Sequence, residues 1–273
     1  MTDRPAHSPT VSDLQPAAGI VEGVSDSTVR ANRAVWESVS QKHVRESDAL
    51  LTEAQTGQPL TDAEREMLGP VLARRPTVVH LQRGHGLDDI ALAKAGASRI
   101  IRVDYSTAAA SAAARRAEEL RLPCAYVVAE LPPAPLRDGC ADLVYTGKGA
   151  LIWMPNLRAW ANDVARLLAP EGQLFVHEAH PTVPLYSWDA DVTESEQTAA
   201  TSTRRTSTTP TQPAAPWSGS GHSVRSSLPC PGQGWAVREL REHPEPFWRP
   251  DDIDAAAWDG QLPNTFTLPA QRP

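Results

Sequence analysis

Lysine is almost missing from this chain. Lys42, Lys94 and Lys148 are the only three, and arginine supplies the rest of the 26 basic residues. Beside 25 prolines and abundant alanine, that bias marks a GC-rich gene rather than a basic binding surface. The formal net charge of −7 gives no electrostatic reason to expect nucleic acid as a partner. Cysteine is as sparse. Cys124, Cys140 and Cys230 have neither metal-ligand spacing nor an even number for pairing, so they read as ordinary thiols and no metal site is expected. No apolar run approaches a membrane span, and the start Met1-Thr2-Asp3-Arg4-Pro5 lacks the charged and apolar regions of a signal peptide. The expectation is a cytoplasmic protein without a membrane partner. Aromatic residues make up only 5%, and hydrophobic content of 41% sits at the low edge of globular chains, so part of the chain is expected not to pack.

What is present is organised around Thr77 to Ser106. Thr77-Val78-Val79-His80-Leu81 reads as a strand, Gln82 to Asp88 as a glycine-bearing turn, Asp89 to Ala95 as a helix, and Ile100 to Asp104 as a second strand ending in an acid. Gly84 and Gly86 permit a sharp turn and close approach to a ligand. An acid about 20 residues on is placed to accept hydrogen bonds from a ribose diol. The unit is built to hold a nucleoside. It is not the dinucleotide fingerprint, because Gln82 stands where the first glycine belongs and the third glycine is missing.

These residues resemble class I S-adenosylmethionine-dependent methyltransferases, in particular actinomycete small-molecule enzymes with a His-Leu-Gln form of the first motif. The resemblance continues in Val103-Asp104-Tyr105-Ser106, in Leu136 to Tyr145, and in Leu167 to Leu174 before the fifth strand, covering roughly Asn32 to Pro181. It implies an α/β, Rossmann-like fold with a mostly parallel seven-stranded sheet and helices on both faces. It also implies methyl transfer from S-adenosylmethionine to a small-molecule acceptor by a monomer or homodimer. In that reading Gln82, Gly84 and Gly86 serve the methionine side, Asp104 the ribose and Glu130 the adenine end, with Tyr105 and Thr146 completing the cofactor set. His180 is the candidate base, Tyr145 a second catalytic candidate, and Trp36, His43 and Trp188 are candidate pocket walls. The aromatic walls point to an aromatic or indolic secondary metabolite of the antibiotic-biosynthesis kind. A solvated or hydrogen-bonded histidine is the alternative for His180, and a simple hydrophobic contact for Trp36. Two other functions stay open: a catalytically impaired relic that retains the cofactor, and an NAD-dependent oxidoreductase, which the glycine pattern does not support.

Around this centre the chain reads as a disordered tail over 1–27, a helical cap over 28–70 and a methyltransferase domain over 71–273. Val35, Trp36, Val39 and His43 share one helical face, and Thr61-Asp62-Ala63-Glu64 is a capping box opening a helix that ends near Gly69-Pro70. Further helices are expected over 107–120 and 156–168, and strands over 125–128, 142–146, 173–176, 236–240 and 262–268.

Between 193 and 234 the character changes to Ser, Thr, Pro, Ala and Arg without apolar period, where this fold needs its last crossover helix. Reading each codon from its third base permits Val-Glu-Trp-Gln-Trp over Pro216 to Gly221 and Leu-Gly-Glu-Val-Val over His222 to Ser227. The segment therefore reads as translated out of frame, a natural linker being the alternative. An uncovered sheet face costs about 25 cal/mol per Å². The in-frame version is accordingly expected to melt higher and turn over faster. Equal melting temperatures and equal turnover for the two versions would reject that expectation.

Overall fold

The computed structural model describes residues 26–82, 84–154, 156–181, 223–224, 229–230, 235–246 and 263–272. The expected tail up to residue 25, Trp188, and the segment 193–234 apart from 223–224 and 229–230 lie outside the described residues. Two units divide them between Leu174 and Phe175, with Arg272 belonging to the first.

The first unit opens with three helices, α1 Asp26–Arg45, α2 Ser47–Thr56 and α3 Asp62–Leu72. Sequence periodicity gave α1 and α3 but not α2. In α2, Leu50 and Ala54, one turn apart, are buried against Leu87 and Ile90, and that contact is what holds so short a helix. The capping box of α3 is formed in full: the Thr61 hydroxyl accepts from the Glu64 amide at 3.2 Å, and Glu64 Oε2 accepts from the Thr61 amide at 2.7 Å. α3 runs two residues past Pro70, because proline near the last turn removes one donor while the Ala73 amide still reaches the Gly69 carbonyl at 3.0 Å.

The sheet follows as β1 Thr77–Leu81, β2 Arg99–Asp104, β3 Cys124–Val128 and β4 Ala141–Gly147, with α4 Leu87–Lys94 and α5 Thr107–Glu119 as crossovers. β1 pairs in parallel with both β2 and β4, and β2 with β3, giving the order β3-β2-β1-β4. Val78, Val79, Leu143 and Val144 are fully buried, as strands covered on both faces require. The chain steps outward from β1 to β3 and then returns to the other side of β1. The carboxyl ends of β1 and β4 thus flank the place where strand order reverses, where open α/β sheets bind ligands. This mixed α/β, mostly parallel arrangement is the expected Rossmann-like fold.

α6 Leu157–Leu167 starts at Asn156, whose side chain accepts from the Ala159 amide at 2.9 Å. β5 Leu168–Ala179 follows it directly and is longer than the expected 173–176. In the second unit β6 Ser223–Val224 pairs with β9 Leu240–His243, and β7 Pro229–Cys230 with β8 Trp235–Val237; β8 and β9 both run antiparallel to β10 Thr265–Gln271. No helix among the described residues is long and apolar enough to cross a membrane.

At the start of β3, burial pushes the Cys124 thiol from its ordinary 9.0 up to about 12, with the charge of Asp89 adding to the effect. A raised folded-state value favours the protonated thiol. Its stabilising share is therefore complete below pH 9 and disappears as pH rises toward 12. Native protein at pH 8 is expected to resist alkylation at Cys124 by at least tenfold relative to denatured protein, measured by peptide mass spectrometry.

Candidate functional site

Two residues other than glycine adopt left-handed backbone at the switch point. Gln82, leaving β1, has φ 57°, and Lys148, leaving β4, has φ 56°. Such conformations cost about 1–3 kcal/mol and persist where the surroundings enforce them, which is typical of functional sites. The Gln82 amide donates to the Val103 carbonyl at 3.0 Å. Its side chain is buried, and Oε1 has no partner among the described residues. Lys148 is held by three acceptors: it pairs with Asp88 in the first turn of α4, lies 3.3 Å from Glu64 Oε2 and donates to the Pro59 carbonyl at 2.9 Å.

Gly86 turns into α4 with φ 80°. A Cβ there would stand 2.5 Å from the Ala113 Cβ and 3.3 Å from Arg102 Nη1. Gly86→Ala is accordingly expected to lower stability by about 1–3 kcal/mol from backbone strain alone, before the collision with Ala113. A thermal midpoint unchanged within 1 °C, on a scale of roughly 2–4 °C per kcal/mol, would contradict this.

Beneath the turn lies a buried ionic chain. Asp104, at the end of β2, has both carboxylate oxygens fixed from the protein side: Oδ1 accepts from the Ser106 amide at 2.9 Å and Oδ2 from Arg102 Nη2 at 2.7 Å. Arg102 Nη1 reaches Asp89 Oδ2 at 3.3 Å, and Asp89 Oδ1 faces His80 Nδ1 at 2.5 Å. Burial lowers the Arg102 pKa, but the Asp89 and Asp104 charges more than offset it, so the guanidinium stays ionised. Tyr105, next to Asp104, has its phenol pushed above its ordinary value by burial and by that carboxylate.

Tyr145, the second catalytic candidate, lies in β4. Its side chain is fully buried, its ring meets His80 edge-on at 4.9 Å, and its hydroxyl donates to Glu64 Oε1 at 2.5 Å. The carboxylate arriving from α3 draws the hydroxyl into the packing under the strand ends. The Thr146 hydroxyl donates to the Leu81 carbonyl at 3.1 Å, tying β4 to β1. Glu130 is exposed and pairs with Arg33 of α1 at 3.0 Å. Trp36 stands edge-to-face with Trp153 at 5.5 Å, just after β4. His43 lies in α1, and its side chain is outside the described residues.

In the second unit, His180 Nε2 is 3.0 Å from Glu242 Oε1, and its ring stands edge-on to Phe266 at 6.4 Å. Both side chains are partly exposed. A carboxylate beside one ring nitrogen orients the imidazole. Gln82, Gly86 and Asp104, the candidates that the turn pattern singled out, lie together at the ends of β1 and β2. Sequence reasoning missed Arg102, whose only signal was a cation between Ile101 and Val103 in a buried strand. Lys148, between two glycines, and Trp153 and Glu242 were also missed. Glu242 is 62 residues from His180 in the chain, beyond any local pattern.

Residues 78–172 match the sequence model of the methyltransferase domain family. Over those residues, less than half of the chain, the sequence is that of a methyltransferase domain. The methyl donor such a domain implies is S-adenosylmethionine. Among solved structures, one of the complex between the Haloferax volcanii Trm112 methyltransferase activator and a methyltransferase is 16% identical over 82% of this chain and 97% of that one, with a TM-score of 0.50. The geranyl diphosphate C-methyltransferase of Streptomyces coelicolor, solved with Mg2+, geranyl diphosphate and S-adenosyl-L-homocysteine, is 14% identical over 76% and 78% of the two chains, with a TM-score of 0.47. A Galdieria sulphuraria protein described as a sarcosine dimethylglycine methyltransferase is 17% identical over 50% of this chain, with a TM-score of 0.39. The match spans 47% of that protein, about half its length. No curated protein sequence matches the chain. The chain's own residues fit that cofactor's donor set: a fixed carboxylate at Asp104 suits the ribose hydroxyls, and Gln82 Oε1, without a partner among the described residues, suits an ammonium.

Proposed function

We propose that this methyltransferase modifies an aromatic or indolic small molecule of secondary metabolism, of the antibiotic-biosynthesis kind, acting in the cytoplasm as a monomer or homodimer. The observation that carries the cofactor half is Gln82: a buried, partnerless acceptor on strained backbone at the switch point. Gln82, Gly84 and Gly86 serve the methionine side, Asp104 with Tyr105 the ribose, and Glu130 and Thr146 the remaining cofactor edge. Bound S-adenosylmethionine supplies an electrophilic sulfonium methyl. His180, oriented by Glu242, is the candidate base that would take up the acceptor's proton.

Trp36 and Trp153 are the aromatic surface that favours a planar acceptor. His43 and Trp188 are further wall candidates, and Tyr145 supports the strand ends from below.

Isothermal titration with S-adenosylhomocysteine, followed by transfer of labelled methyl from S-adenosylmethionine to a panel of indoles and phenols, tests the reading. Saturable binding with transfer to at least one planar acceptor is expected. Binding without transfer to any acceptor would point to a relic that keeps its cofactor. Transfer to aliphatic acceptors alone would remove the aromatic assignment.

A further inference from the structure

The fully buried side chain of Arg102 touches both the glycine turn and the Asp104 carboxylate. Nη2 donates to the Gly84 carbonyl at 3.3 Å and to Asp104 Oδ2 at 2.7 Å, while Nη1 reaches Asp89 of α4 at 3.3 Å. Three segments that meet only at the switch point, namely the turn after β1, the first turns of α4 and the end of β2, are fixed by one planar fork. Lysine offers a point charge with no such geometry.

The consequence for Asp104 is specific. A carboxylate has about four lone-pair directions. Here Ser106 takes one on Oδ1 and Arg102 takes one on Oδ2, so the carboxylate plane is set and the other directions are aimed. The Asp104 side chain keeps 10% of its surface accessible while that of Arg102 has none. The carboxylate therefore presents an edge, and the guanidinium lies wholly behind it.

We propose that Arg102 is a positioning residue for the cofactor ribose. By holding Asp104 Oδ2 and the Gly84 carbonyl together, it fixes the distance between the ribose acceptor and the turn that receives the methionine end. His80 and Asp89 extend the support on the other side of the fork. The proposal rests on the reading of Asp104 as the ribose ligand.

The test measures dissociation constants of full-length protein for S-adenosylhomocysteine and for its 2′-deoxyribose analogue. Native protein is expected to prefer the hydroxylated ligand about 10- to 100-fold, the size of one hydrogen bond to a charged group. Arg102→Lys keeps the buried charge and is expected to fold. It should weaken S-adenosylhomocysteine about tenfold or more while changing the deoxy analogue less than threefold, so the preference collapses.

Equal weakening of both ligands, tracking a lowered thermal midpoint, would make Arg102 a structural residue only and overturn the proposal. An Arg102→Gln variant that retained full discrimination would overturn it as well. Failure of the underlying reading is distinct: native protein that binds both ligands equally would remove Asp104 from the ribose site whatever Arg102 does.

Discussion

Turnover of a His180→Ala variant is expected to fall by about 10²- to 10⁴-fold, the usual worth of a positioned base, with affinity for S-adenosylhomocysteine nearly unchanged. The geometry explains why the effect should sit in turnover. Nε2 faces Glu242 Oε1 at 3.0 Å, so in the neutral ring the hydrogen on Nε2 donates to that carboxylate and holds the imidazole in one orientation. Glu242→Gln removes the charge and lets an amide hydrogen face the ring, which favours the opposite tautomer. It should therefore lower turnover in the same direction and by a smaller factor, again without a change in cofactor affinity. Single-turnover methyl transfer at saturating cofactor, beside calorimetric binding of S-adenosylhomocysteine, separates the two quantities. A loss of cofactor binding as large as the loss of turnover would make His180 a structural residue. A variant with native turnover would send the search for a base elsewhere.

How much of this was legible in the chain depended on whether the signal was local. The strand, turn and helix around Gly84 and Gly86 were readable, because tight turns need glycine and period-2 apolar runs need a sheet. The capping box at Thr61 and Glu64 was readable for the same reason, both partners lying within one turn. α2 was not, since its ten residues are polar except where Leu50 and Ala54 meet Leu87 and Ile90, and only tertiary contact selects a helix there. Arg102, Asp89 and His80 escaped because a buried ion chain has no sequence period. The contact of Tyr145 was not legible either, because the end of a strand identifies a residue's height in the sheet and not the neighbour its side chain meets. That neighbour, Glu64, comes from a helix 81 residues earlier.

Glu64 is where the largest loss of stability is expected. Read from sequence it is a capping residue, and helix caps are worth about 0.5–2 kcal/mol. The structure gives it two further partners while leaving it fully buried: Oε1 accepts from the Tyr145 hydroxyl at 2.5 Å, and Oε2 stands 3.3 Å from Lys148 Nζ. Removing one partner from a buried ion pair costs about 3–5 kcal/mol, because the other charge stays desolvated. Glu64→Ala would strip Lys148 of one of its two carboxylates and leave the Tyr145 hydroxyl without this acceptor. The expected fall in thermal midpoint is then roughly 6–20 °C. Thr61→Ala, which removes only the other half of the capping box, is the control and should fall by no more than about 8 °C. Glu64→Gln should lie between the two, since its amide oxygen still accepts hydrogen bonds but no longer balances Lys148. Equal losses for Thr61→Ala and Glu64→Ala would reduce Glu64 to a cap. The expected order, with Glu64→Ala worst, means that α3 supports the switch point directly: through Glu64 it reaches the strained Lys148 that follows β4, and loosening the helix loosens the backbone at the end of that strand.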